Sequence, residues 1–371
     1  MNKCMLLLLS VVLLVGCWDE RLLKEHVLIL SVGYDLVDDK KLMKTSTFPN
    51  EPKSGAEGGE PGETETITVV GNTVKDAEIL AEQYSPETFD RSKAKVLLIG
   101  EDLAKKGMFP TLDSVYRDLR APLSATIAVV EGTAKDALEI TEKYSLLTSD
   151  FYADLIDTSD QAGLIKSEDL QSICPVILEE GKDIALPAIA LNEKKSGAKL
   201  NGLSLFSGDE LTGELDLDQS IMFLILSNQT KKRTKVNLQV TEGKEEITKN
   251  YVNFSIRDMK RKIKIDTEHH KIKANIKMDL QIEIDEYADD HLHSKKKAKK
   301  LKEQINEQLI ILAEETIKEM QEANSDTLGI GERIKAYHPK AWKEVDWEKE
   351  YPNIEIKPSF TIKIIRHGIL N

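Results

Sequence analysis

Three cysteines and seven histidines in 371 residues leave little material for several kinds of chemistry. Cys4 and Cys17 sit near the N-terminus and Cys174 stands alone far beyond them, which excludes an internal disulfide framework. Cys174 precedes Pro175 and has Ile173, Val176 and Ile177 around it, the setting of a small buried hydrophobe rather than a nucleophile. No Gly-rich phosphate loop, zinc-spaced Cys pair, Gly-x-Ser-x-Gly elbow or His-Glu-x-x-His helix occurs. Gly329-Ile330-Gly331 is too short for a dinucleotide fingerprint. His269, His270, His291 and His293 could gather around a metal, but a solvated strand end and a polar loop explain them more simply. The expectation is no enzyme, no cofactor and no metal. A composition of 40% hydrophobic and 31% charged residues excludes a multi-span membrane protein. Acids outnumber Lys and Arg by 64 to 51, the wrong sign for a nucleic-acid binder. The excess is local, with 34 acids against 21 bases in residues 18–200 and 30 against 29 in 201–371.

What is present begins with the compartment. Lys3 gives a positive start, and residues 5–15 are apolar except Ser10. Eleven helical residues rise only about 16 Å, against a bilayer core of about 30 Å. The stretch reads as the apolar region of a signal peptide over 1–16. It ends Leu14-Val15-Gly16-Cys17, which resembles a bacterial lipobox. Cys17 would take S-diacylglycerol on sulfur and an acyl group on its freed amine. Residues 17–25 would then tether the mature chain outside the cytoplasmic membrane.

The chain divides into two halves by pattern. The spacing predicts strands over 26–36 and 41–48, then a Pro/Gly/Glu-rich loop over 49–63 with too few apolar residues to order it. An internal repeat follows. Residues 69–85 and 129–145 match at nine of seventeen positions, each reading as strand, turn, Thr helix start and amphipathic helix. Between the copies lies a buried strand over 93–100 and two short helices. Helical pattern over 151–180 and a strand over 184–191 complete a mixed α/β domain, 26–191. The polar segment 192–198 reads as a linker. The second domain, 199–371, has a possible small middle unit over 199–245. It opens with a hairpin over 200–215 and a buried helix over 218–226. Strands over 250–257, 261–267 and 271–284 keep a period of two and read as an antiparallel meander. A helix starts at Ser294, with Leu301, Ile305, Leu309, Leu312, Thr316 and Met320 on one stripe. The fold class is α+β: a mixed α/β domain followed by an antiparallel sheet packed with a long helix.

Lys295, Lys296, Lys297, Lys299 and Lys300 crowd the start of that helix, where cations oppose the macrodipole. The acids at 283–290 offer one compensation. Anionic lipid headgroups or an acidic partner offer another. Trp342 and Trp347 read as anchors that fasten short helices, not as ligand contacts.

From Gly16-Cys17-Trp18-Asp19 onward the chain resembles the lipoprotein C subunits of bacterial spore germinant receptors. Further landmarks follow in order: Val32-Gly33-Tyr34-Asp35, Arg91-Ser92-Lys93-Ala94-Lys95, Arg117-Asp118 and Asn201-Gly202-Leu203-Ser204-Leu205-Phe206. The C-terminal set is Asp326-Thr327-Leu328-Gly329-Ile330-Gly331, His338-Pro339-Lys340-Ala341-Trp342, Trp347, Tyr351-Pro352 and Arg366-His367-Gly368. The resemblance implies a non-enzymatic subunit on the outer face of the spore inner membrane, beside an A subunit and a nutrient-recognising B subunit. A solute-binding lipoprotein of a transporter is the alternative. A lipid-anchored hydrolase is a third, disfavoured by the missing motifs.

Overall fold

The computed structural model describes residues 26–38, 40–50, 64–141, 144–145, 147–232, 234–267, 271–289 and 292–366, apart from position 146. The signal segment, Cys17, the tether, most of the 49–63 loop, His269, His270 and His291 lie outside the described residues.

The N-terminal strands are β1 (His26–Leu28), β2 (Ser31–Val37), β3 (Lys41–Pro49), β4 (Thr64–Gly71), β5 (Thr88–Asp90), β6 (Val96–Gly100), β7 (Thr126–Val130) and β8 (Ala185–Leu191). β9 (Ala198–Ser207) and β10 (Glu210–Leu215) follow as a hairpin. Eight of these form one sheet in the order β10-β9-β8-β7-β6-β2-β3-β4. Its centre, β2, β6, β7 and β8, is parallel, and antiparallel strands flank both sides. β1 and β5 pair separately. β6 is buried at all five positions, as a central parallel strand with both faces covered must be. Val96 and Leu98 enter one apolar cluster, while Leu97 and Ile99 enter the other.

The helices α1 (Val74–Glu82), α2 (Glu101–Lys106), α3 (Phe109–Tyr116), α4 (Ala134–Leu138), α5 (Thr148–Ala162) and α6 (Leu170–Ile177) cover those faces. The internal repeat is a repeated helix start. Thr73 and Thr133 each accept the N–H of the Asp three residues on, at 3.1 Å, opening α1 and α4. The copies then diverge, to nine and five helical residues. The Val32-Gly33-Tyr34-Asp35 landmark also has a structural task. The Asp35 carboxylate accepts the N–H of Ala134 at 2.6 Å and of Lys135 at 3.0 Å, joining β2 to the start of α4.

The strand layout adds three details to the expected organisation. The 192–198 segment is the tight connection between β8 and β9, which pair antiparallel in the same sheet. The sheet therefore continues past the expected linker. Residues 199–245 divide between two sheets, because β9 and β10 join the first and β11 (Lys235–Gln239) joins the second. The strands expected at 250–257 and 261–267 are one strand, β12 (Tyr251–Asp266). Its register against β13 (Lys273–Glu286) slips between Ile256 and Asp258. That bulge moves the buried phase from even to odd residues, which in sequence looks like a turn.

The second sheet runs β11-β12-β13-β14, with β14 at Glu355–Arg366. Its last pair is parallel, not antiparallel. The reason is the crossover: α8 (Lys295–Glu322) and the short helices α9 (Ile330–Tyr337), α10 (Pro339–Trp342) and α11 (Trp347–Glu350) lie between the two strands. α8 buries Leu301, Ile305, Leu309, Ala313, Thr316, Ile317 and Met320. It packs on α7 (Leu217–Ser227) and β14, and reaches β10 of the first sheet. One apolar cluster runs from Val96 and Val130 through Leu203 and Leu224 to Met278 and Leu309, so the halves share a core.

Candidate functional site

The C-terminal landmarks converge at the seam between the halves. α8 ends at Glu322, and the chain turns through Asp326 into α9. Asp326 is buried and acts as a hub. Its Oδ1 accepts the Ile330 N–H at 2.9 Å, and its Oδ2 accepts the Gly331 N–H at 2.7 Å and the Trp347 indole N–H at 3.2 Å. The first half supplies the other side of the seam. Asp183 Oδ2 accepts the Asp326 N–H at 2.7 Å, while the Asp183 N–H donates to the Asp326 carbonyl at 3.1 Å. Asp183 Oδ1 accepts the Gly208 N–H at 2.8 Å, tying in the β9–β10 turn. The Glu332 N–H donates to the Gly181 carbonyl at 2.6 Å.

Two glycines make this approach possible. A Cβ on Gly331 would stand 2.6 Å from Trp347 Nε1 and 2.7 Å from Gly181 Cα. Gly181 itself has φ of +95°, and its Cβ would meet the Trp342 ring at 2.9 Å. The Trp342 and Trp347 centroids are 5.7 Å apart, and Trp347 and Tyr351 are also 5.7 Å apart. The tryptophans are half-buried and stand at the seam.

The electrostatics follow from burial. Loss of solvent pushes the Asp326 carboxyl up to about 8, with Asp183 adding to the rise and the three donors opposing it. Burial raises Asp183 as well, and Glu348 contributes. Above the pair opens a groove of about 630 Å³, lined by Asp183, Asp326, Trp342, Trp347, Glu348 and Tyr351 among others.

A second set of landmarks meets in the first half. Arg91 Nη2 donates to Asp118 at 3.0 Å, and Arg91 also pairs with Glu78. Lys75 reaches Asp118 at 2.6 Å and Glu78 at 2.9 Å, and Lys44 lies 3.8 Å from Glu78. These side chains line a small cavity of about 140 Å³. The Lys75 hydrogen bond leads the causes that hold Asp118 down at about 2. Burial first, then Arg91 and Lys75, lower Lys44 to about 7. The folded state thus releases the Lys44 proton well below the unfolded value of about 10.4. Between those limits the unfolded chain holds more protons, so this group makes stability rise with pH. Lys44→Met should flatten the rise between pH 7 and about 10. Urea midpoints at both ends of that window check it, and an unaltered slope would refute the assignment.

The remaining sequence candidates are dispersed. Lys295, Lys296, Lys297, Lys299 and Lys300 are all exposed, and Ser294 makes no side-chain cap bond. Lys299 pairs with Glu303 at 3.8 Å, while the other four join no ion pair among the described residues. Lys244 is the main cause of the lowered Asp289, with Lys297 a lesser one, so the acidic run answers the lysines only in part. Cys174 is buried, and burial raises its thiol to about 11, as suits a packed hydrophobe. Gly181, Asp183, Lys44 and Glu78 were not legible as site residues. Asp183 stands 143 positions from Asp326. No local pattern announces such a contact.

Comparison with known proteins agrees with this layout. Residues 19–191 match the spore germination protein N-terminal domain. Residues 201–368 match the spore germination B3/GerAC-like C-terminal domain. The chain is 21% identical to spore germination protein GerQC of Bacillus cereus over 371 residues, covering 100% of this chain and 99% of that one. It is 24% identical to spore germination protein KC of Bacillus subtilis (strain 168) over 400 residues, covering 100% and 97%. The crystal structure of the GerBC protein shares the fold, with a TM-score of 0.58 and 18% identity over 90% of this chain and 96% of that one. With both domains matched in order, the chain belongs to the GerAC-like family of spore germination proteins.

Proposed function

We propose that this chain is the lipid-anchored C subunit of a nutrient germinant receptor. It is held on the outer face of the spore inner membrane through Cys17 and works as a non-enzymatic assembly partner of the A and B subunits. The observation that carries the reading is the join at the N-terminus. Leu14-Val15-Gly16-Cys17 ends one residue short of residue 19, where the family match begins. A lipid anchor keeps the body at the surface, so an embedded partner is met at high effective concentration. The exposed lysines from Lys295 to Lys300 would face anionic headgroups or an acidic partner surface.

The shared core supports assembly over solute capture. A solute-binding lipoprotein closes two similar lobes around its ligand. Here an eight-stranded sheet and a four-stranded sheet differ in topology and are joined by one apolar cluster. Such a subunit shifts a receptor only through different contacts with its two states. Spores lacking the chain should fail to respond to the receptor's own nutrient, yet respond through other receptors. A full response in the deletion strain would defeat the proposal.

A further inference from the structure

The groove above the Asp183–Asp326 pair carries negative charge that the described structure does not balance. Six carboxyl groups and one ammonium, Lys343, line it, and Asp326, pushed up to about 8, holds its proton at neutral pH, which leaves five carboxylates. Lys335 pairs with Glu179 at 3.3 Å and Lys349 pairs with Asp346. Glu180, Asp183, Asp326 and Glu348 join no ion pair among the described residues. Asp183 raises the proton affinity of Asp326 and Glu348 raises that of Asp183, while the Asp326 N–H bond to Asp183 works the other way.

The Tyr351 hydroxyl is a second and independent sign. Tyr351 is only 1% exposed, lines the groove and senses both aspartates, yet its hydroxyl has no hydrogen-bond partner among the described residues. A phenolic oxygen can accept a hydrogen bond from a cationic N–H donor. The aromatic wall is a third sign, because indole faces attract organic cations. Leu178, 68% exposed, adds an apolar rim.

We propose that this groove receives a lysine or arginine side chain from a partner polypeptide. The cationic head would lie between the tryptophan wall and the carboxylates of Asp183 and Glu348, within reach of the Tyr351 oxygen. The stem would cross Leu178 and Val345, as long basic side chains cover apolar surface with their methylenes. Charge complementarity and size choose this occupant. A volume of about 630 Å³ exceeds what a free ammonium or guanidinium fills and leaves space for the flanking chain. This inference stands apart from any role in germination.

The test uses the full-length lipidated protein in detergent micelles, titrated by calorimetry. The probes are a capped Gly-Arg-Gly tripeptide, its neutral Gly-Gln-Gly counterpart and butylguanidinium. The arginine peptide should bind saturably and the glutamine peptide about tenfold more weakly or less. A tenfold rise in ionic strength should weaken the arginine peptide, since exposed charges are screened. Glu180→Gln combined with Glu348→Gln alters two exposed residues. It should weaken the peptide about tenfold with an unchanged unfolding midpoint. Trp342→Leu should weaken it about threefold. Absence of saturable binding, equal binding of the glutamine peptide, or wild-type affinity in the double variant would overturn the proposal. Butylguanidinium binding as tightly as the peptide would overturn the polypeptide occupant and leave a site for free organic cations.

Discussion

Cys17→Ala should reduce incorporation of radioactive fatty acid to background and leave an unprocessed, weakly held precursor. On the proposed reading, Lys3, the apolar stretch 5–15 and Leu14-Val15-Gly16-Cys17 form a signal segment that ends at this thiol. That stretch is about half the length needed to cross a bilayer, so it cannot replace the lipid as a stable span. Each buried methylene of an acyl chain contributes about 0.8 kcal/mol, and two or more chains hold where one exchanges. On the proposed reading, losing the thiol removes the lipid attachment in one step. Cys174→Ala should leave labelling intact, because that thiol is buried and protonated at neutral pH. Label retained on the Cys17 variant would sink the lipobox assignment.

Asp326→Ala should destabilise the folded chain by about 3–5 kcal/mol. It leaves the Ile330 and Gly331 N–H groups and the Trp347 indole N–H without their acceptor. Each buried donor so stranded costs about 1–3 kcal/mol, partly relieved where water can enter. The seam loosens on both sides, since Asp183 is fixed by the Asp326 backbone. The carboxyl also carries a pH signature. Its folded value of about 8 lies above the unfolded value of about 3.9, so the folded state holds a proton that the unfolded state has released. Its contribution is full below about pH 4 and is lost as pH rises through about 8. Asp326→Asn keeps the shape and removes the proton, so it should flatten this fall at a smaller cost in stability. Chemical denaturation across that range reads both effects. An unchanged midpoint in Asp326→Ala would show that the hub holds nothing.

Patterns with a short period were readable and contacts between distant residues were not. Leu301, Ile305, Leu309, Thr316 and Met320 marked the buried stripe of α8 because a helix repeats every 3.6 residues. Thr73 and Thr133 marked two helix starts because capping is local. The β12 bulge defeated the same method, since one extra residue at Arg257 reverses the alternation without leaving the sheet. The polar 192–198 segment looked like a linker because hairpin turns and linkers use the same residues. Trp342 and Trp347 were legible as landmarks, while Gly181, against which the Trp342 ring packs, comes from the other half.

The crossing of 192–198 by the first sheet has a kinetic consequence. A chain emerging from its N-terminus reaches Leu191 with β8 lacking its outer partner, and β9 and β10 arrive only by residue 215. β10 in turn waits for α8, and Asp183 waits for Asp326. The N-terminal half is thus unfinished until nearly the whole chain is available. Folding of this kind is slow, because distant segments must meet before their contacts repay the lost chain entropy. During that interval β8, with Leu186, Ala188, Ile189 and Ala190 destined for burial, is an open edge onto which another unfinished chain can add. Dilution or chaperoning during folding would therefore govern yield more than the stability of the finished fold.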